Sequence, residues 1–162
     1  MPNTYTPIAT QTLASSATTV TFSSIPQTYT DLILVTQTTC GTSSNFYYIQ
    51  VNGDTGNNYS YIRTFGDGSN PYSDSRATFP AASIGFANNT IPQTTVTHIA
   101  SYANTSTYKH YLSRSNNTAT WVALLYGSWH STSAITSITC LMGSGDTTLA
   151  GSTFTLYGIK AA

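Results

Sequence analysis

The side chains that could do acid–base chemistry in this chain of 162 residues are few. It contains five carboxylates, all of them Asp, and three histidines, His98, His110 and His130. Each Asp lies beside a turn or loop signal, where hydrogen bonds to nearby backbone explain it. The histidines have no metal-binding spacing, and neither a Gly-x-Ser-x-Gly motif nor a phosphate-binding glycine loop is present. We therefore expect a protein that is not an enzyme and that needs no cofactor or metal.

One turn is rich in oxygen ligands. Residues 52–58 contain several asparagines around a single carboxylate, whereas Ca²⁺ prefers six to eight oxygens with several carboxylates among them. The dipeptide Asn52-Gly53 is instead the strongest short signal for a two-residue hairpin turn, since both residues tolerate positive φ. The sequence therefore predicts a β-hairpin between strands at 45–51 and 58–65.

Aromatic side chains offer the most serious binding chemistry, because a ring with a polar tip suits amphipathic ligands such as sugars. Candidate contact residues for a glycan or a protein partner are Tyr72, Tyr126, Trp129 and His130. Tyr72 falls in a predicted surface loop at 66–80, and the other three surround the end of a predicted strand. Tryptophan is also highly buried on average, so a place for Trp121 and Trp129 in the core is the competing interpretation.

The composition argues against several classes of partner. Charged residues make up 6% of the chain and the formal net charge is zero, against about a quarter charged in ordinary globular domains. The five Lys and Arg residues are scattered singly, so the basic cluster that binds nucleic acid or an anionic membrane surface is missing. We expect neither as a partner.

Thr and Ser together supply 52 residues, about a third of the chain, while Glu is absent. Abundant Thr, Val, Ile, Tyr and Phe favour strands over helices. Short alternating or fully apolar runs predict strands at 18–23, 32–35, 45–51, 58–65, 83–87, 96–103, 108–113, 120–126, 134–142 and 152–159. This pattern predicts an all-β fold: a single antiparallel β-sandwich of about nine or ten strands, jelly-roll-like in type.

The first twelve residues lack a strand pattern. We expect residues 1–12 to form an N-terminal arm, with the sandwich domain covering 13–162. Exchange of such an arm with a neighbouring copy would order it at modest cost. The candidate assembly residues of the arm are Pro2, Tyr5, Pro7 and Ile8.

The chain start lacks the basic and apolar regions of a secretory signal. No apolar run approaches the roughly 20 residues of a membrane helix. We expect Met1 to be a genuine start of a small complete protein. Cys40 and Cys140 each lie near the end of a predicted strand, and free buried thiols are the simplest interpretation. A disulfide between them is left open.

Three stretches carry a resemblance to a known group of proteins: FSSIPQTYTDL from Phe22, VNGDTGNNYSY from Val51 and GSTFTLYGIK from Gly151. They resemble small β-sandwich domains in virion proteins of tailed bacteriophages, and the resemblance extends from about Leu13 to Lys160. It implies a non-enzymatic virion structural protein, used as a capsid decoration or cement subunit or as a short tail-appendage subunit.

The resemblance further implies assembly in the host cytoplasm, contacts with other virion proteins and a homo-oligomer, for which we favour a trimer. It brings no active-site residues. The alternative function is a carbohydrate-binding module, or a receptor-binding tail-fibre domain, that contacts host-surface glycan through exposed aromatics.

Overall fold

Two antiparallel β-sheets packed face to face form the protein, for which a computed structural model describes residues 4–117 and 121–160. This confirms the expected all-β sandwich. The strands are β1 (Tyr5–Thr12), β2 (Thr19–Phe22), β3 (Asp31–Thr38), β4 (Ser44–Val51), β5 (Tyr59–Gly66), β6 (Pro71–Phe79), β7 (Ala82–Asn88), β8 (Gln93–Ala100), β9 (Lys109–Asn117), β10 (Trp121–Trp129), β11 (Ile138–Met142) and β12 (Thr153–Ile159). Within the described ranges, no helix is long and apolar enough to cross a membrane.

The chain crosses repeatedly from one sheet to the other. The eight-stranded sheet has the order β1-β12-β3-β8-β9-β10-β5-β6, and the four-stranded sheet has the order β2-β11-β4-β7. Only the connections β5 to β6, β8 to β9 and β9 to β10 stay within one sheet. Alternation of this kind is typical of a jelly roll, and the larger sheet is widened on one side by β9, β10, β5 and β6.

The core lies between the two sheets and is built by alternation along each strand. In β3, for example, Leu32 and Leu34 are fully buried, while Ile33 and Val35 face outward and are partly exposed. Burial of such side chains is the main favourable term for folding. The largest fully buried side chains are Tyr47, Tyr59, Tyr102, Lys109, Phe154, Leu32, Leu34, Ile49, Ile84, Ile99, Leu125 and Ile135.

Buried hydroxyls complete the free edge of the smaller sheet. Strand β7 pairs only with β4, and Ile84 has no partner there because of a bulge in the register. The Ser113 hydroxyl, from the opposite sheet, donates to the Ile84 carbonyl at 2.6 Å, and the Phe86 amide donates to the Ser115 hydroxyl at 3.4 Å. Serines in the core of this chain therefore satisfy backbone groups that an edge strand would leave unpaired.

The hairpin predicted at Asn52-Gly53 is wrong. Both residues adopt positive φ, 53° and 69°, and the Asp54 amide donates to the Val51 carbonyl at 2.9 Å, so a tight turn is present. However, β4 pairs with β11 and β7, whereas β5 pairs with β10 and β6 in the other sheet. The turn therefore carries the chain from one sheet to the other.

The other differences from expectation are two additional strands, which make twelve within the described residues rather than nine or ten. The predicted surface loop at 66–80 contains β6, an exposed edge strand paired with β5. The expected arm contains β1, the opposite edge strand, paired with β12 of the same chain. Its Ile8 packs against the core, so residues 5–12 are part of the sandwich.

The predicted pairing of β9 with β10 is present, with Tyr126 opposite Leu112. Residues 115–117 of the predicted turn at 115–118 belong to a strand, because β9 continues to Asn117. Thr118, like Pro2, lies outside the described residues.

Cys40 and Cys140 are both buried and free, so no disulfide joins them. Burial raises the pKa of the Cys140 thiol to about 12. A thiol in this environment stays protonated at neutral pH and behaves as a small apolar core group.

Candidate functional site

The most unusual surface of the protein is the outer face of the eight-stranded sheet. Alternate residues of β10 point away from the core, and five large apolar side chains are contiguous on this face by register. They are 47–68% exposed. We call this set the outer apolar patch, and its members are Ile62, Leu112, Val122, Leu124 and Tyr126.

The register defines how the outer apolar patch is arranged. Tyr126 lies opposite Leu112 on β9 and opposite Ile62 on β5, which forms one apolar row across three strands. In the next row, Leu124 lies between Arg114 and Thr64. The patch is therefore centred on β10, and its Tyr126 row has an apolar side chain on each side.

The surroundings of the outer apolar patch carry little charge. Arg114 is the charged residue nearest its centre. The carboxylate of Asp31 accepts a hydrogen bond from His98 at 2.9 Å. The carboxylate of Asp74 pairs with Arg63 on the inner face of the sheet. A surface of this kind favours a neutral, apolar partner over a charged one.

A hydroxyl-rich groove lies at one end of the outer apolar patch, beside Tyr126. The Tyr126 ring stacks on His110, with centroids 5.9 Å apart and planes at 11°, and its hydroxyl lies 3.1 Å from His110 Nδ1. Ser60 Oγ lies 2.9 Å from Ser128 Oγ and 3.0 Å from His130 Nε2. Together with Ile62 and Arg76, most of these side chains line a shallow groove of about 330 Å³.

Tyr126 and His130 are the two sequence-predicted contact residues that the fold brings to the same region. His130 contacts the ring of Tyr108, with ring centroids 5.6 Å apart. His130 also contacts Ser60, which lies opposite Ser128 in the strand pair that contains Tyr126. Tyr108 is exposed and adds a second aromatic face that the sequence analysis did not select.

Trp129 does not offer a stacking face, because it lies in the core and is 5% exposed. Its indole N–H donates to Asp54 Oδ2 at 2.6 Å, and Asn58 donates to the same carboxylate. Burial tends to raise the pKa of Asp54, but the hydrogen bonds from Trp129, Asn58 and the Gly56 amide outweigh it and lower the pKa. The oxygen-rich turn therefore anchors a core tryptophan.

Tyr72 belongs to a separate aromatic cluster at the other end of β10. Its ring stacks on Phe65 at 5.3 Å and contacts Trp121 at 5.6 Å, while its hydroxyl donates to Asp67 at 3.1 Å. Trp121 is five residues from Tyr126, about 17 Å along the strand. Tyr72 and Tyr126 therefore do not form one binding platform.

The candidate assembly residues of the expected arm lie at the β1 edge. Tyr5 is exposed, and Pro7 lies opposite Tyr157 next to a bulge. Pro2 is outside the described part of the chain. Contacts of Pro7 and Ile8 with their own sandwich are therefore present.

The hydrogen bonds of His130 and His98 go to different kinds of side chain. His130 contacts a hydroxyl, Ser60, and His98 contacts a carboxylate, Asp31. Within residues 4–117 and 121–160, no histidine bonds to both a carboxylate and a serine or threonine hydroxyl. No group of three or more His, Cys, Asp or Glu side chains that could hold a metal occurs in the same ranges.

Gly127 positions the outer apolar patch, because it lets β10 pass close to a buried tyrosine. A Cβ at this position would overlap the Ser60 carbonyl oxygen and the Tyr111 hydroxyl. Overpacking a core in this way costs about 1–3 kcal/mol. We expect Gly127→Ala to lower the free energy of unfolding by about 2–3 kcal/mol in urea titration. Gly66→Ala is the matched control on β5, where a Cβ meets only an ordinary contact at 3.4 Å; an equal loss in both variants would contradict this explanation.

Sequence reasoning missed four members of the outer apolar patch, although a signal for them exists. The β10 sequence WVALLYGSW is apolar at both odd and even positions. Such a strand is typical of a sheet covered on both faces, whereas the outer sheet face of a sandwich meets solvent. Outward-facing apolar side chains at Val122 and Leu124 were therefore predictable from the sequence.

A comparison with models of known protein families finds no match, and a comparison with curated proteins finds none either. The function of the chain is therefore inferred from its own side chains.

Proposed function

We propose that the protein is a non-enzymatic structural subunit of a bacteriophage virion, which decorates or cements the capsid or forms part of a short tail appendage. The observation that carries the proposal is the outer apolar patch on a rigid sheet. Contiguous exposed apolar patches of several hundred Å² mark interaction surfaces on soluble proteins. The sequence resemblance to virion β-sandwich domains supports the setting.

The edges of the larger sheet support attachment through a face. An exposed edge strand can pair with another chain unless prolines, charges or bulges interfere. Strand β1 has Pro7 and a bulge next to it, and β6 starts at Pro71, carries Asp74 and Arg76 and pairs with β5 through a bulge. Both edges are therefore poorly suited to strand addition, whereas the face between them is exposed along β10.

Attachment of the subunit to the particle should resist salt. Exposed ion pairs contribute only about 0–1 kcal/mol each, and ten charged residues cannot form an extended ionic surface. Buried apolar contacts are weakened by urea but not by salts excluded from the surface. We expect the subunit to stay on sedimented particles from about 0.05 to about 1 M sodium chloride, a range over which the screening length falls to about 3 Å. Release by moderate sodium chloride without denaturant would contradict the expectation.

The proposed function is tested by negative-stain imaging of source virions labelled with antibody to this protein. We expect label at regular positions on the head or the tail. Particles without any label, from a preparation in which the antibody recognises the purified protein, would overturn the proposal. The same images distinguish a capsid decoration from a tail appendage by the position of the label.

A second candidate function, glycan binding, is favoured by the groove beside Tyr126. The groove combines the exposed Tyr126 ring with the hydroxyls of Ser60 and Ser128 and with the guanidinium of Arg76. Rings that cover a sugar face, with a few polar groups around them, are the usual elements of a small-ligand site. Such a function is compatible with a virion subunit that touches the host surface.

The glycan hypothesis predicts a position-dependent loss of binding. We expect Tyr126→Ala to weaken binding to a host-surface polysaccharide by about tenfold, the equivalent of about 1.4 kcal/mol for one aromatic contact. Tyr72→Ala is the matched control, since Tyr72 is also exposed but lies at the opposite end of β10. Binding is measured by glycan array and calorimetry. Equal binding by both variants, or no binding by the wild type at millimolar ligand, would rule this site out.

A further inference from the structure

We infer that the outer apolar patch is a contact surface between two copies of this chain, packed face to face about a two-fold axis that runs along β10. This inference deepens the proposed function and rests on it in assigning the pair to a virion subunit. The partner of the patch is thus a second copy of the same patch.

The area of the outer apolar patch matches what a stable pair needs. Its five side chains are 47–68% exposed. With about 150–200 Å² for a fully exposed large side chain, they present about 450 Å² of apolar surface. A standard interface buries about 800 Å² on each partner, of which about 56–65% is apolar. The patch therefore supplies about the apolar area that one side of such an interface contains.

The layout of the outer apolar patch is suited to contact with itself. A two-fold contact requires that residue i meets residue j and that j meets i. Rotation about an axis along β10 places β9 of one copy over β5 of the other. Leu112 then faces Ile62 of the second copy, and Tyr126 and Leu124 meet their own equivalents. Apolar side chains therefore meet apolar side chains in the central row on both sides of the axis.

The charged group of this face is accommodated by the same geometry. Arg114 lies opposite Leu124 on β9, and Thr64 lies opposite Leu124 on β5. Rotation about β10 sets each Arg114 over Thr64 of the other copy, and the backbones of the two Arg114 residues are then about 10 Å apart across the sheet, two strand spacings. Arg114 then meets a hydroxyl and avoids its own equivalent, so the pairing does not place the two Arg114 side chains opposite each other.

The first test measures whether the outer apolar patch holds the pair together. We expect the wild-type protein to sediment as a dimer at micromolar concentration. Leu124→Asp places a carboxylate at the centre of the contact and should weaken the dimer at least about 30-fold, the effect of a central contact residue. Gln37→Asp is the matched control, because Gln37 is exposed on the same face but lies three strands away on β3.

The second test examines the two-fold geometry. Leu112→Asp and Ile62→Arg should each weaken the dimer, and the double variant should recover wild-type affinity within about threefold, because the new charges face each other between copies. Circular dichroism and the urea midpoint verify that each variant is folded. A double variant weaker than both single variants would overturn the geometry. The resemblance favours a trimer. A trimer that Leu124→Asp leaves intact would overturn the pairing as a whole.

Failure of the pairing and failure of the proposed function are distinguishable. A protein that is monomeric at about 100 μM, yet labels virions, would overturn the pairing and support the function. A dimer that Leu124→Asp dissociates, with no label on any virion, would support the pairing and overturn the function.

Discussion

Replacing Asp74 by Ala is expected to lower the free energy of unfolding by about 3 kcal/mol. The Asp74 carboxylate accepts hydrogen bonds from Arg63 Nε at 2.6 Å and from Arg63 Nη2. The Arg63 side chain is 3% exposed and lies 4.1 Å from the centroid of the Phe46 ring. Loss of one partner from a buried ion pair costs about 3–5 kcal/mol because it leaves an uncompensated charge. We take the lower end because Asp74 is 32% exposed.

Urea titration of Asp74→Ala against Ser73→Ala tests this expectation. Ser73 is exposed on the same edge strand, so its replacement should change stability by less than about 0.5 kcal/mol. The double variant Arg63→Met with Asp74→Ala should be more stable than Asp74→Ala alone, since no buried charge is then left unpaired. Equal stability of Asp74→Ala and Ser73→Ala would refute the argument.

The same ion pair has a defined pH dependence. The hydrogen bonds from Arg63 lower the pKa of Asp74, although burial opposes them. An Asp with a lowered pKa in the folded state contributes stability above its unfolded pKa of about 3.9. This contribution is lost as pH falls through the lower folded pKa, so the stability difference between wild type and Asp74→Ala should shrink in acid.

A steep loss of stability in alkali is the second large expected effect. Burial raises the pKa of several tyrosines, and the pKa of Tyr48 and of Tyr59 to about 12. The others with a pKa raised by burial are Tyr47, Tyr61, Tyr102 and Tyr111. In the unfolded chain a tyrosine loses its proton near pH 10. The stabilising contribution is therefore complete below pH 10 and is lost as pH rises towards the folded pKa.

The magnitude is set by proton linkage. Each tyrosine that is protonated in the folded state and ionised in the unfolded state lowers stability by about 1.4 kcal/mol per pH unit. The four groups with the largest shifts, Tyr47, Tyr48, Tyr59 and Tyr111, give about 6 kcal/mol per pH unit, which reaches the whole stability of a typical domain within two units. The lowered pKa of Lys109, caused by its burial, acts in the opposite direction, but it is a single group.

We expect cooperative unfolding between about pH 10 and 12, followed by circular dichroism together with the ultraviolet absorbance of tyrosinate. The part of the absorbance change that comes from the buried tyrosines should coincide with the loss of circular dichroism, because these side chains ionise only when the chain unfolds. Tyr48→Phe should make the transition less steep by one proton, whereas Tyr5→Phe, at an exposed position, should leave it unchanged. Ionisation of Tyr48 well before the loss of circular dichroism, seen as the absorbance difference between wild type and Tyr48→Phe, would contradict the expectation.

The sequence predicted the strands whose side chains alternate or are apolar on both faces, such as β2 with Val20 and Phe22 or β3 with Leu32 to Val35. It did not predict β6, whose residues are polar and which is defined by pairing with β5 alone. Strand β1 was missed for the same reason, since its partner β12 is far away in the chain. Local patterns report which face is buried, but they do not report distant pairing partners.

The error at Asn52-Gly53 shows the same limit. The turn chemistry was identified correctly, with positive φ at both residues. The path of the chain after a tight turn depends on which sheet accepts the next strand, and that is decided by packing of distant elements such as β10. For the candidate site, Tyr126 was predictable as an exposed aromatic, whereas Ile62 and Leu112 join it only through the register of three strands.

The pairing of β1 with β12, with Tyr5 opposite Ile159, has a consequence for the time at which the protein can fold. At a synthesis rate of about 5–20 residues per second, the roughly 150 residues between these strands take about 8–30 s to make. During that time β1 has no strand to pair with, and β3 lacks its neighbour β12. One side of the larger sheet is therefore completed only after translation of β12, and folding that depends on such long-range contacts is slow.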